Sequence, residues 1–168
     1  TESGPEEAPE PVIEIAVEAY LDGTYIEDAM HKIEIYQKIA AIRKNEEIPE
    51  LLDELIDRFG EPTKSVKELL KIARIKNYAR KIGVKSLVES EKLLTMSLGE
   101  KYKFAPEGVT ELLRIFGNNL RFNKTQNKLE FRLTPPLKIN VVNLATRALM
   151  MLSGDTNAFK KAAGGKSP

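Results

Sequence analysis

The sequence predicts an α+β fold, with a helical N-terminal part of three helices followed by short strands and two further helices. Three observations carry this reading. Apolar residues first recur at helical spacing over three segments between residues 28 and 82. From Val84 the spacing falls to two. The segments also do not alternate strand, helix, strand, as a doubly wound parallel sheet would require.

The elements follow in order. Val12, Ile13, Ile15, Val17 and Ala19 form a β-rich run that ends at Tyr20, and Asp22-Gly23 marks a turn. Residues 28–43 predict a helix with Ala29, Ile33, Tyr36 and Ala40 as its stripe, widened by Ile35, Ile39 and Ile42. Residues 47–59 predict a second, in which Ile48, Leu51, Leu52, Leu55, Ile56 and Phe59 keep the i, i+3, i+4, i+7 spacing. Gly60 stands where a left-handed cap belongs, and Pro62 prevents continuation. The third helix, 63–82, carries two adjoining stripes, Val66, Leu69, Leu70, Ala73 and Ile72, Ile75, Ala79, Ile82, so it is expected to be central and heavily covered.

Val84–Val88 and Leu94–Leu98 then read as strands. Pro106 opens a short helix closed by Gly117-Asn118. Leu120–Phe122 and Leu129–Leu133 flank a polar loop as a hairpin, with Phe122 and Phe131 expected to point into the core. Pro135-Pro136 introduces a last helix with Val142, Ala145, Leu149 and Leu152 inward.

This gives a single domain over residues 12–153. Residues 1–11, with three prolines and four glutamates, read as a flexible acidic leader, and residues 154–168 as a flexible tail. The chain begins at Thr1 without methionine, as an excised or processed piece would.

The inventory removes most chemistry. There is no cysteine for a disulfide scaffold or zinc ribbon, and one histidine, His31, for all imidazole work. Asp28 lies three residues before His31, which reads as a surface pair on a helix. Gly165-Lys166-Ser167 imitates the end of a phosphate loop, but Lys160 stands where its first glycine belongs. No apolar run approaches the length of a membrane span, and no cofactor is implied.

Charge is the informative quantity. The net charge of +1 conceals a split: residues 1–60 hold 16 acids and 5 bases, and residues 61–168 hold 9 acids and 21 bases. On the second helix Glu50, Asp53, Glu54 and Asp57 share the face opposite the apolar stripe, with Arg58 four residues after Glu54. Carboxylates on one straight helix cannot encircle an ion. The stripe is either a solvated face or a recognition face for arginines on another surface. The basic part offers Lys67, Lys71 and Arg74 on one helix face, and Arg121, Lys124, Lys128 and Arg132 on the hairpin. An alternative function is therefore nucleic-acid binding through the basic C-terminal two-thirds.

The run Asp53-Glu54-Leu55-Ile56-Asp57-Arg58-Phe59-Gly60, then Glu61-Pro62 and Leu69-Leu70-Lys71-Ile72-Ala73-Arg74, resembles the C-terminal domain of bacterial transcription-repair coupling factors. Ala19-Tyr20-Leu21, Tyr25-Ile26 and Ile35-Tyr36-Gln37-Lys38-Ile39-Ala40 fit the same family over about residues 12 to 90. Members usually carry proline where this chain has Asp22, and Arg-Leu where it has Lys32-Ile33. The resemblance implies a non-catalytic module of an ATP-driven DNA translocase that displaces stalled RNA polymerase and recruits excision repair through UvrA. The chain itself lacks the ATPase motifs. The resemblance further implies that the module packs on the UvrB-like domain of its own protein, hides the surface UvrA uses and restrains the motor, in the bacterial cytoplasm. Glu54 carries over as an arginine partner, with Glu50, Asp53, Asp57 and Arg58 as neighbours by spacing.

Overall fold

In the computed structural model, residues 10–133 and 140–155 are described. Most of the expected leader and tail, the Pro135-Pro136 pair and the Gly165-Lys166-Ser167 run lie outside the described residues. The element order is β1 (Val12–Glu14), α1 (Ala29–Ala40), α2 (Glu47–Phe59), α3 (Lys64–Ile82), β2 (Val84–Ser90), β3 (Leu93–Leu98), α4 (Pro106–Phe116), β4 (Leu120–Asn123), β5 (Lys128–Arg132) and α5 (Val141–Ser153). This is the α+β class that the sequence predicts. The chain divides into two compact units, one of Ala16–Asn77 and one of Thr1–Ile15 with Tyr78–Pro168.

The unit of Ala16–Asn77 is helical. Its core gathers Leu21, Ile26, Ile35, Ile42, Leu51, Leu55, Val66, Leu70 and Ala73, with Tyr25, Ile39, Ile48, Leu52, Phe59 and Leu69 packed against them. Two polar devices fix the chain's entry. Asp28 caps α1, its Oδ1 accepting from the His31 amide at 3.0 Å, while the His31 ring nitrogen stays 4.0 Å away. Asp22 gathers four donors. Its Oδ1 accepts from the Thr24 hydroxyl at 2.5 Å and the Tyr25 amide at 2.9 Å, and its Oδ2 from Thr63 at 2.5 Å and Ser65 at 2.9 Å. These hydrogen bonds, the Thr24 hydroxyl first, hold the carboxyl well below the usual range. Asp22 thus ties the turn to the start of α3.

The α1 stripe is corrected by the structure. Ile35 and Ile42 are buried, whereas Ile33 is 51% and Tyr36 41% exposed. Two apolar stripes lie side by side on this helix, and packing through Ile35 and Ile39, with Ile42 just beyond its end, decides which is covered. Ile56 on α2, expected inward, is likewise exposed at 40%. α3 is as heavily covered as its two stripes predict: Val66, Ile75 and Ala79 are fully buried.

The other unit holds a five-stranded sheet in the order β1-β2-β3-β5-β4. β1 runs parallel to β2, and the remaining neighbours are antiparallel. The strand run expected to reach Tyr20 stops at Glu14, because β1 is an edge strand paired on one side only, with register Val12 to Ser86 through Glu14 to Val88. Alternation permits a strand, but the partner ladder sets its length. α5 buries Val142, Ala145, Leu149 and Leu152 as expected. It meets α4 very closely, since a Cβ on Gly108 would sit 1.9 Å from the Met151 carbonyl oxygen. In the hairpin Phe131 is buried and packs edge-on against Phe116 at 5.4 Å. Phe122 is 43% exposed, contrary to expectation. It lies on the outermost strand and borders an apolar pocket with Tyr102, Phe104, Leu113 and Leu129.

Candidate interaction face on the acidic helix

The face is built from α2 outward. Glu47 opens the helix, and its Oε1 accepts from the amides of Arg43 at 2.7 Å and Lys44 at 2.8 Å, which hold its carboxyl low. Leu51 and Leu55 anchor the inner side, at 7% and 0% exposure. At the far end Tyr25 donates to the Gly60 carbonyl at 2.7 Å, with the Leu55 carbonyl 3.1 Å away. Gly60 has a φ of 88°, which favours glycine, but its ψ of −170° is extended, so the cap differs from the left-handed one expected.

The outer side divides into two groups. Glu54 accepts from Lys38 at 2.6 Å and from Arg58 at 2.8 Å. Arg58 also clamps Glu34 with two bonds of 3.0 Å, and Lys38 lies 3.4 Å from the same Glu34. Two carboxylates and two cations therefore neutralise one another between α1 and α2. The hydrogen bond from Arg58 chiefly pulls the Glu34 carboxyl down to about 2, and Lys38 chiefly pulls Glu54 down. Arg58 also covers the Phe59 ring at 4.9 Å.

Glu50, Asp53 and Asp57 form the second group. They are exposed, and among the described residues no ion pair or hydrogen bond engages their side chains. A groove of about 260 Å³ opens beside Glu50, lined with it by Lys38, Ile42, Glu47, Leu51 and Glu54. It combines an aliphatic floor with carboxylates at the rim, the chemistry that suits a guanidinium and its stem.

Sequence spacing finds all five predicted residues on this helix, and it pairs Arg58 with Glu54 correctly. It misses Glu34 and Lys38, which reach the site from α1. Their own i, i+4 spacing was the readable signal. In the basic part, Lys67, Lys71 and Arg74 are exposed as expected, while Tyr78 is buried with its hydroxyl 2.9 Å from Asp155. Arg121 is paired with Glu130 at 3.2 Å. No cluster of metal-ligating side chains exists among the described residues, and none of their helices is long and apolar enough to cross a membrane.

The TRCF domain model matches residues 15–109. The chain belongs to the TRCF domain family. A transcription-repair-coupling factor from Staphylococcus haemolyticus is 31% identical over 130 residues, 76% of this chain and 11% of that protein. The Bacillus subtilis factor of the same name is 31% identical over 120 residues, 70% of this chain and 10% of that protein. A crystal structure of the C-terminal domain of a transcription-repair coupling factor superposes with a TM-score of 0.72 at 28% identity, covering 96% of this chain and 99% of that one. The TRCF likeness thus extends well past the residues that carry the sequence resemblance. The chain spans about a tenth of the curated relatives it matches.

Proposed function

We propose that residues 12–153 act as one regulatory domain that catalyses nothing itself and docks on the UvrB-like domain of its own transcription-repair coupling factor. Docking masks the surface used by UvrA and restrains the DNA translocase until it engages RNA polymerase, in the bacterial cytoplasm. The observation that carries this reading is the division of the α2 face. Glu54 and Arg58 are already committed to Lys38 and Glu34, while Glu50, Asp53 and Asp57 stand exposed with no cation paired to them among the described residues. A helix that keeps unneutralised carboxylates at i, i+3 and i+7 bears a repulsion that a basic partner would remove.

Partly exposed ion pairs contribute only about 0–1 kcal/mol each. Within one polypeptide the effective concentration is high, so a few such pairs hold a contact that can still open. Glu54 takes part by exchanging Lys38 for an arginine of the partner, whose stem lies along Ile42 and Leu51 in the groove.

The test is charge reversal in the intact coupling factor, with Glu54→Lys and Asp57→Lys made separately. Each is expected to raise UvrA capture and basal ATPase. If both readouts are unchanged in both variants, the docking reading is wrong.

A further inference from the structure

The docking reading leaves the basic helix α3 without a partner. Between Lys64 and Ile82 it carries seven cations, Lys64, Lys67, Lys71, Arg74, Lys76, Arg80 and Lys81, against the single acid Glu68. Four of them, Lys64, Lys67, Lys71 and Arg74, recur every three or four residues and are all exposed. That spacing stacks them on one side of the helix, over a length of roughly 15 Å.

The local pairing leaves the charge of Lys64, Lys67 and Arg74 available, whereas Lys71 compensates the buried Glu68 carboxylate. Among the described residues, no ion pair engages Lys64 or Arg74. Lys67 lies 3.2 Å from Glu61, whose side chain is 71% exposed, and a pair so open to water is readily exchanged. Lys71 lies 2.9 Å from Glu68 Oε1, while the second Glu68 oxygen is buried without a hydrogen bond.

We propose that this row of cations is a contact surface for the phosphate backbone of duplex DNA, bound without regard to sequence. Charge complementarity names the occupant. A line of evenly spaced cations fits a line of phosphates, and neutralising them releases counterions. The face also says what it does not bind. Recognition of a single strand uses aromatic rings on which bases stack. The only aromatic residue of α3, Tyr78, is buried and held to Asp155. Nor does the face offer the amide side chains that read base edges, since Asn77 is buried with its amide bonded to Asn45 at 2.9 Å. Backbone contact alone remains. This surface is independent of the acidic face on α2, so either proposal can fail without the other.

The experiment is fluorescence anisotropy of the intact chain with a short labelled duplex of arbitrary sequence, titrated across salt. Three phosphate contacts predict a log–log salt slope of about −3, a loss of roughly fortyfold between about 50 and 200 mM salt. The double variant Lys67→Gln/Arg74→Gln should lower the slope by about 2, with an unchanged thermal midpoint as the folding control. Glu61→Gln, which frees Lys67, should tighten binding several-fold. A single strand of equal charge should bind no better than the duplex. The proposal is overturned if the duplex does not bind at low salt, or if the double variant binds as the parent does. It is equally overturned if polyglutamate competes as well as DNA, since the row would then serve an acidic protein.

Discussion

Two consecutive helices of this chain make opposite use of charge. α2 has five acids and one base, and α3 has seven bases and one acid. On α2 the central acid Glu54 is drawn sideways into a neutral network with α1, so its charge serves the packing of one helix beside the next. On α3 the cations run along an exposed side, and among the described residues only Lys67 and Lys71 of the Lys64–Arg74 row touch an acid. A charged helix face is therefore not one kind of surface. What distinguishes them is whether a neighbouring helix brings the opposite charge within reach. α1 supplies Lys38 to α2 through the shared core, and it leaves the flanking acids Glu50, Asp53 and Asp57 unmatched.

The comparison can be broken most severely from below. Leu55 is fully buried under the acidic face, and Leu55→Ala should cost about 2–5 kcal/mol by chemical denaturation. Both groups of acids would then lose their platform together.

A milder break separates the groups. Arg58→Met removes the clamp on Glu34 and one partner of Glu54. It should lower the thermal midpoint by less than Leu55→Ala does. The pH dependence gives the sharper reading. The Glu34 carboxyl is held at about 2 in the folded chain against an ordinary 4.5. A depressed carboxyl contributes stability that is fully present above its unfolded value and is lost as pH falls through the folded one. Stability should therefore decline between about pH 4.5 and 2, and Arg58→Met should flatten that decline. An unaltered pH profile would mean that Glu34 is not held by Arg58.

The smallest effect is the most telling. Asp57→Asn removes an acid near the C-terminal end of α2, where the helix dipole disfavours it, and relieves its repulsion with Asp53 and Glu50. Its stability should stay within about 0.5 kcal/mol of the parent, on the favourable side. A clear loss would show that Asp57 has a structural partner, and the distinction between the two groups would fall.

What could be read from the sequence follows the same division. The buried side of α2 was legible because Leu51 and Leu55 at helical spacing mark it, although Ile56 at the stripe's margin stays exposed. α1 was not, since Ile33 and Tyr36 compete with Ile35, Ile39 and Ile42, and only a tertiary partner selects between them. The length of β1 and the exposure of Phe122 were hidden for a related reason. Both lie at edges of the sheet, where a missing neighbour overrides local alternation. The five residues of the acidic face were visible from spacing. That Glu54 is committed to Lys38 was not, because a contact between helices leaves no mark on the periodicity of either.

The most direct test of the docking account is site-specific photo-crosslinking from position 53 in the intact coupling factor. The account predicts a crosslink to the UvrB-like domain that disappears when UvrA is bound. A crosslinker at position 53 that captures no part of the UvrB-like domain, while the factor remains restrained in basal ATPase, would contradict it.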